Sequence, residues 1–488
     1  MNRALTRIFH LLFAALIVAV AIPAHPSHIA LADPPPSATG KSTSTTKGVN
    51  TGDPIAANSG AYHFTLPLLD LGGPLPLRYE LTYRTDDYTV GASSLDSNFR
   101  DNLHVILERM PHETTGVPVA VVNLRNGDTP QFTYAAGGGQ WTLDAASSTR
   151  YVLKETGADY SHGYYYLMDP IRERVYVLEK ATAECSALWC PARLRYLLDR
   201  NGNRHEYSYT GDSLNPDRIQ DGLGRRLDFT YDAWGARLTR VTDQTGRFVQ
   251  IAYENTAPDF NNQTVLRSVT DTQGNITTFH YAYLATQPAT APIVSVDRPL
   301  GNTPYTQTIA DVTLNGAAWA RVTSQTDAYG NTTNLAYNSA ANRVTETRPD
   351  ATVVTYEHYH NDGAPKSITD ATGKTILFSQ SANEQITQVT DRLGDSTHMT
   401  YHPPTGKLAS YRDAEGNLTT FTYAAQSQTF TNPINSETVN FTFYNLTRIT
   451  YPDATHDDFT YDAQGNALTF TDRRGKTWTT CALAPPAV

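Results

Sequence analysis

Apolar and polar positions alternate along this chain over strand lengths, and turn residues interrupt them at short intervals. Leu77-Arg78-Tyr79-Glu80-Leu81-Thr82-Tyr83 alternates with period two. Gln131-Phe132-Thr133-Tyr134, Tyr151-Val152-Leu153 and Arg174-Val175-Tyr176-Val177-Leu178 alternate or run apolar, as half-buried and buried strands do. Asn126-Gly127-Asp128 and Gly137-Gly138-Gly139 separate such segments. No capped stretch with a helical period predicts a long helix. The pattern is all-β.

From about residue 192 the pattern becomes periodic. An Asp is followed three residues later by Gly and ten residues later by Tyr, at Asp199/Gly202/Tyr209, Asp221/Gly224/Tyr231, Asp243/Gly246/Tyr253 and Asp271/Gly274/Tyr281. The frame returns at Asp327/Gly330/Tyr337, Asp391/Gly394/Tyr401 and Asp413/Gly416/Tyr423, while Asp370/Gly373 has Gln380 in the Tyr slot. The usual step between copies is about one hairpin long, with longer steps around 285–320 and 424–450.

One copy has a simple physical reading. Asp at the first turn position accepts a hydrogen bond from the backbone N–H two residues on, and Gly takes the positive-φ position that closes the turn. An apolar residue usually sits two before the Tyr, as in Phe229/Tyr231, Ile251/Tyr253, Phe421/Tyr423 and Phe459/Tyr461. That spacing puts both on one sheet face. A second turn often follows, as in Tyr231-Asp232-Ala233-Trp234-Gly235. Each copy is then two short strands and two turns, and stacked copies make a long antiparallel sheet in which each unit buries its face only with its neighbours' help.

The N-terminus reads differently. Arg3 and Arg7 precede an apolar run, Leu11 to Ile22, and Ala30-Leu31-Ala32 supplies a small-x-small exit. This is a secretory signal over 1–32, cleaved before Asp33; the run is too short for a membrane anchor, so no stable span remains after cleavage. The predicted localisation is secreted or cell-surface. Residues 33–52 are Pro/Ser/Thr/Gly-rich and predict a flexible leader. Residues 53–190 predict an N-terminal β cap, 191–480 the repeat sheet and 481–488 a tail.

Removing Arg3 and Arg7 takes the formal charge from −10 to −12. A net acidic chain lacks the clustered Lys/Arg that nucleic acid requires. Cys185 and Cys190 are close enough in sequence to close a small hairpin with a disulfide in an oxidising compartment; two buried thiols are the alternative. Cys481 is left over.

The Tyr-Asp turns, the D-x-x-G-N-x-x-x-x-x-Y copies at Asp271 and Asp327, and Asp413-Ala-Glu-Gly-Asn resemble the YD repeat of RHS proteins. The stretch from Asn50-Thr-Gly-Asp-Pro to Gly73-Pro-Leu-Pro-Leu-Arg-Tyr-Glu-Leu-Thr-Tyr-Arg84 is similar to the opening motif of RHS cores. The resemblance covers about residues 50–480. It implies a sheet that spirals into a hollow shell around a C-terminal toxin cargo encoded downstream, or that presents an adhesive surface outside the cell. Two departures stand out. The family's core-closing segment is absent, and about ten copies suffice for an open arc or partial shell on the order of 100 Å long at ~4.8 Å per strand. An open sheet edge near Thr480 predicts self-association.

Other chemistry is sparse. The Asp/Gly spacing lacks the tight Gly-rich period of a calcium β-roll. His358-Tyr359-His360 places two imidazoles on one strand face, without a third fixed ligand; no metal or cofactor is predicted. Tyr164-Tyr165-Tyr166 and the repeat tyrosines either stack on sugars or pack on their neighbours, and packing is the expected role. No nucleophile elbow, zinc-protease motif or phosphate loop occurs. The expectation is a non-catalytic exported repeat protein, with a free-standing adhesin binding cell-surface glycan as the alternative.

Overall fold

The computed structural model describes residues 31–32, 48–51, 54–85, 95, 98–111, 116–125, 128–135, 140–144, 147–157, 162–181, 189–233, 237–255, 264–282, 291–314, 317–359 and 363–479. Most of the expected signal and leader, His360, Cys185, Cys481 and the tail lie outside them. Among the described residues the chain is antiparallel β throughout, apart from the single 3-10 turn Ser339–Ala341.

One sheet carries nearly everything from Ile106 onward, each strand pairing with its sequence neighbours as alternation and close turns require. The strand Cys190–Asp199 is a branch point. One edge pairs with Arg174–Lys180; the other pairs first with Ile106–Pro111, through Cys190↔Arg109 to Arg193↔Ile106, and then with Arg204–Ser208. The strands from Ile106 to Asp199 therefore close into a loop, and the repeats leave it as an open ladder ending at Thr477–Thr479. The sheet begins well before the expected boundary at 190/191 and crosses it without a break.

The described residues between 54 and 105 lie inside the curve of this sheet. His63–Asp70, Arg78–Arg84 and Phe99–Asp101 form a separate three-stranded sheet. Its Phe64, Tyr79 and Phe99 meet the repeat residues Phe279 and Phe229 at ring centroid distances of 5.8, 6.1 and 5.0 Å. Tyr83 Oη accepts from the Ile293 N–H at 2.8 Å, and Arg225 donates to the Leu71 carbonyl. At Gly60 (φ 64°) a Cβ would collide with the Tyr337 ring, so only glycine lets the repeat tyrosine close against the insert. His104 bridges to Tyr231 Oη at 3.1 Å and pairs with Asp101 at 2.5 Å. Burial pushes the Asp101 carboxyl up, but His104 and Arg125 outweigh it and hold it at about 2.

A second core forms on the opposite side of the sheet. Tyr164–Asp169 and Arg174–Lys180 are buried on both faces: Tyr165, Leu167 and Leu178 join the inner core, while Tyr164, Tyr166, Met168, Val175 and Val177 pack under Phe430, Val439, Phe441 and Phe443. The latter come from Leu418–Thr431 and Thr438–Thr450, the longest strands among the described residues. The irregular step at 424–450 is thus a long hairpin that folds back and ties late repeats to the first strands. Tyr166 Oη and Thr156 Oγ1 donate to Glu437 at 3.0 and 2.8 Å, and Lys154 Nζ donates to the Asn440 carbonyl at 2.6 Å. Arg200 reaches Asn445 and Gln426.

Candidate functional site

The repeated turn is the most regular feature of the molecule. Asp199 Oδ1 accepts from the N–H groups of Asn201 and Asn203, both at 2.9 Å. The same two-donor pattern recurs at Asp221, Asp243, Asp271, Asp327, Asp370 and Asp391, and Asp413 accepts from the Asn417 N–H. Gly202, Gly224, Gly246, Gly274, Gly330, Gly373, Gly394 and Gly416 all take φ between 82° and 95°. The second carboxylate oxygen is also used. It accepts from the Asn203, Asn275, Asn331 and Asn417 amides, or from Arg225 and Arg247. These bonds hold the Asp327 and Asp413 carboxyls below their ordinary range, the Asn331 and Asn417 amides contributing most. Every carboxylate of the frame is engaged in its own turn.

The tyrosines have one job in common. Tyr209, Tyr231, Tyr253, Tyr337, Tyr401 and Tyr423 each donate to the backbone carbonyl fifteen residues earlier, at 2.5–2.8 Å. Tyr281 does the same to Leu266, and Tyr461 to Leu446. In most copies the register slips by one residue immediately before the Tyr, as at Thr230/Tyr231, Ala252/Tyr253, Thr400/Tyr401 and Thr422/Tyr423. Such a bulge bends the strand and re-aims the side chain, turning the ring back toward the preceding hairpin. Burial then pushes the phenols up, to about 12 at Tyr401.

Several copies depart from the frame, among them Arg298/Gly301, which makes the same turn without Asp and has Thr308 at the Tyr position. Gln380 stands in the Tyr slot after the same register slip, and its buried Oε1 has no hydrogen bond. Two further copies were not legible as such. Arg348/Ala351/His358 and Tyr451/Ala454/Tyr461 make the same turn without Asp or Gly, Ala351 and Ala454 adopting φ 63°. His358 is therefore a buried slot residue, and burial pushes its imidazole down to about 4. Glu357 points the other way, to Arg343. Among the described residues no group of three metal-ligating side chains occurs. Cys190 is disulfide-bonded, its partner lying outside the described residues. Tyr164, Tyr165 and Tyr166 are all buried and offer no stacking platform to a sugar.

The two faces of the repeat sheet differ. The outer face carries hydroxyl pairs beside the turns: Thr326–Thr332, Thr369–Thr375, Thr390–Ser396 and Thr471–Thr477, at 2.8–2.9 Å. The inner face carries the apolar residue two before each slot. From Phe229 to Leu335 these apolar residues are buried in one core with the described residues between 54 and 105. Beyond Ile368 the apolar row continues through Phe378↔Val389, Met399↔Tyr411 and Phe421↔Ile449 to the stack Phe459–Phe470–Trp478, with centroids 5.2 and 5.3 Å apart. There Phe378, Val389, Met399, Tyr411 and Phe421 are only half-buried. This uncovered stretch of inner face is the candidate functional surface.

The chain matches no family model and no curated protein. Among solved structures, the Photorhabdus luminescens Tc holotoxin pore aligns with 88% of this chain and 22% of its own, at 12% identity and a TM-score of 0.37. The TcdB2-TccC3-Cdc42 complex aligns with 87% of this chain and 25% of its own, at 12% identity and a TM-score of 0.30. A porin-like protein from Bacteroides uniformis aligns over 70% of this chain and 97% of its own, at 10% identity and a TM-score of 0.12. The chain spans about a quarter or less of the length of the two toxin chains.

Proposed function

We propose that this chain is an exported, non-catalytic structural protein, the wall of an RHS-type shell, and that the uncovered inner face receives a polypeptide cargo. One observation carries the reading. The apolar inner row is continuous, yet residues 54–105 cover it only as far as about Ile368. Leaving the remainder in water costs on the order of 25 cal/mol per Å² of apolar surface, and a second extended polypeptide laid on it would recover that. The carboxylates that might have served catalysis are occupied as turn acceptors, so the wall acts by its shape. Export rests on the N-terminal signal pattern.

The test is accessibility of the two faces. With the cysteine that is not bonded to Cys190 replaced by Ser, Met399→Cys places a thiol on the inner row and Thr400→Cys places one outward. Maleimide should label Thr400→Cys equally in the isolated chain and in the material that cells export. Met399→Cys should be labelled in the isolated chain and protected in the exported material. Equal labelling of Met399→Cys in both sinks the enclosed-cargo reading, and an exported product not beginning at Asp33 sinks the assigned signal.

A further inference from the structure

A cavity of about 170 Å³ lies where the inner segment meets the closed loop of strands, lined by Pro76, Asn102 and Leu103 of the insert and by Arg172, Arg174 and Tyr207 of the sheet, among others. No acidic side chain lines it; Arg125, Tyr176 and His205 do. The cations at its edge are unequally balanced. Arg172 pairs with Asp128 at 3.3 Å and with Asp169 at 3.0 Å. Arg174 pairs through its backbone with both neighbouring strands, but its guanidinium has no ion pair or hydrogen bond among the described residues. Its register neighbours are Asp169 and Asp199, but their oxygens are committed. Asp169 accepts from Ile171, Arg172 and the Arg172 guanidinium, and Asp199 from Asn201 and Asn203.

Two phenols share the space. Tyr176 and Tyr207 are 4% and 2% exposed, and neither hydroxyl has a hydrogen bond among the described residues. Both residues line the cavity, where a ligand or water can meet hydroxyls that the protein leaves unpaired. Here two O–H donors and one guanidinium without a carboxylate converge on a single void. We propose that this cavity binds a small inorganic oxyanion of the phosphate or sulfate class. Arg174 supplies the charge, Tyr176 and Tyr207 donate to its oxygens, and water fills the rest. The bound ion cements the insert to the sheet, since both contribute walls to the site.

The experiment is a titration of the full chain with inorganic phosphate at fixed ionic strength in chloride, followed by the ³¹P linewidth. The expected result is saturable broadening that sulfate reverses by competition. Arg174→Gln should weaken binding about tenfold or more, the scale of one hydrogen bond to a charged group, and should leave the melting temperature in chloride no lower, since it removes an unpaired charge. Tyr207→Phe, which deletes one oxygen and keeps the ring, should weaken binding severalfold and serves if Arg174→Gln does not fold. Absence of saturable broadening overturns the proposal and leaves the cavity to water. Broadening that survives unchanged in a folded variant overturns it as an adventitious ion only.

Discussion

Tyr401→Phe isolates what the repeat tyrosine contributes. The substitution removes one oxygen and leaves the ring on its hairpin. The lost bond runs 2.6 Å to the Ile386 carbonyl, in a place dry enough to push the phenol up to about 12. A net intramolecular hydrogen bond contributes about 1 kcal/mol, and leaving its buried acceptor short of a partner adds up to about as much again. A loss of about 1–2 kcal/mol is a factor of roughly 5–30 in the opening equilibrium. Because stability in a repeat sheet is local, the assay is amide hydrogen exchange by mass spectrometry. Exchange in Ile386–Thr390 and Ser396–Tyr401 should accelerate about 5- to 30-fold, with Leu238–Asp243 unchanged as an internal control. Exchange unchanged in both hairpins, or accelerated equally in both, would refute the idea that each tyrosine clamps its own unit. The reciprocal change, Gln380→Tyr, should slow exchange in Thr375–Gln380 by supplying the missing clamp toward the Pro365 carbonyl.

Further outcomes follow from the same structure. The Tyr401 phenol is raised in the folded chain, to about 12, so its contribution is fully present below pH 10 and is lost as pH rises from 10 through 12. Tyr423 and Tyr461 are raised as well, so a pH-jump unfolding series should show steep alkaline unfolding there, shallower in Tyr401→Phe. His358 has the opposite sense. Its folded pKa is depressed from 6.5 to about 4, so its contribution is present above pH 6.5 and falls away between 6.5 and 4. His358→Tyr should flatten the denaturation midpoint over that window. Phe443→Ala, at a side chain 1% exposed, should cost about 3–5 kcal/mol and expose the tie hairpin to proteolysis within 418–450, measurable by limited digestion.

What could be read from the amino acids alone was what is local. The Asp/Gly turn is decided within five residues, and the structure builds it at every copy of the frame. The clamp was not legible, because it links a tyrosine to a carbonyl fifteen residues earlier in the preceding hairpin, and a repeat frame alone does not say which backbone group a side chain reaches. The copies at Arg348 and Tyr451 were missed because both turn residues are replaced. Ala351 and Ala454 carry a positive φ that their side chains would not suggest. The inner segment and the tie hairpin escaped for another reason. Tyr83 and Ile293 are 210 residues apart, and Thr156 and Glu437 are 281 apart; pairings of that span leave no periodic trace. For the tie hairpin, the long step at 424–450 signalled that something other than a plain repeat was there.

The interior position of residues 54–105 constrains the order in which the molecule can be assembled. Strands that wrap around a segment cannot be completed before that segment is in place, because threading it afterwards would require the tie between Tyr166 and Glu437 to reopen. Synthesis from the N-terminus delivers the inner sheet before any strand that encircles it, so synthesis direction and architecture agree. The last contacts to form, those of Leu418–Thr431 and Thr438–Thr450 with the opening strands, are also the ones with the greatest loop-closure cost. Assembly is therefore winding, with the core laid first and the fastening made last.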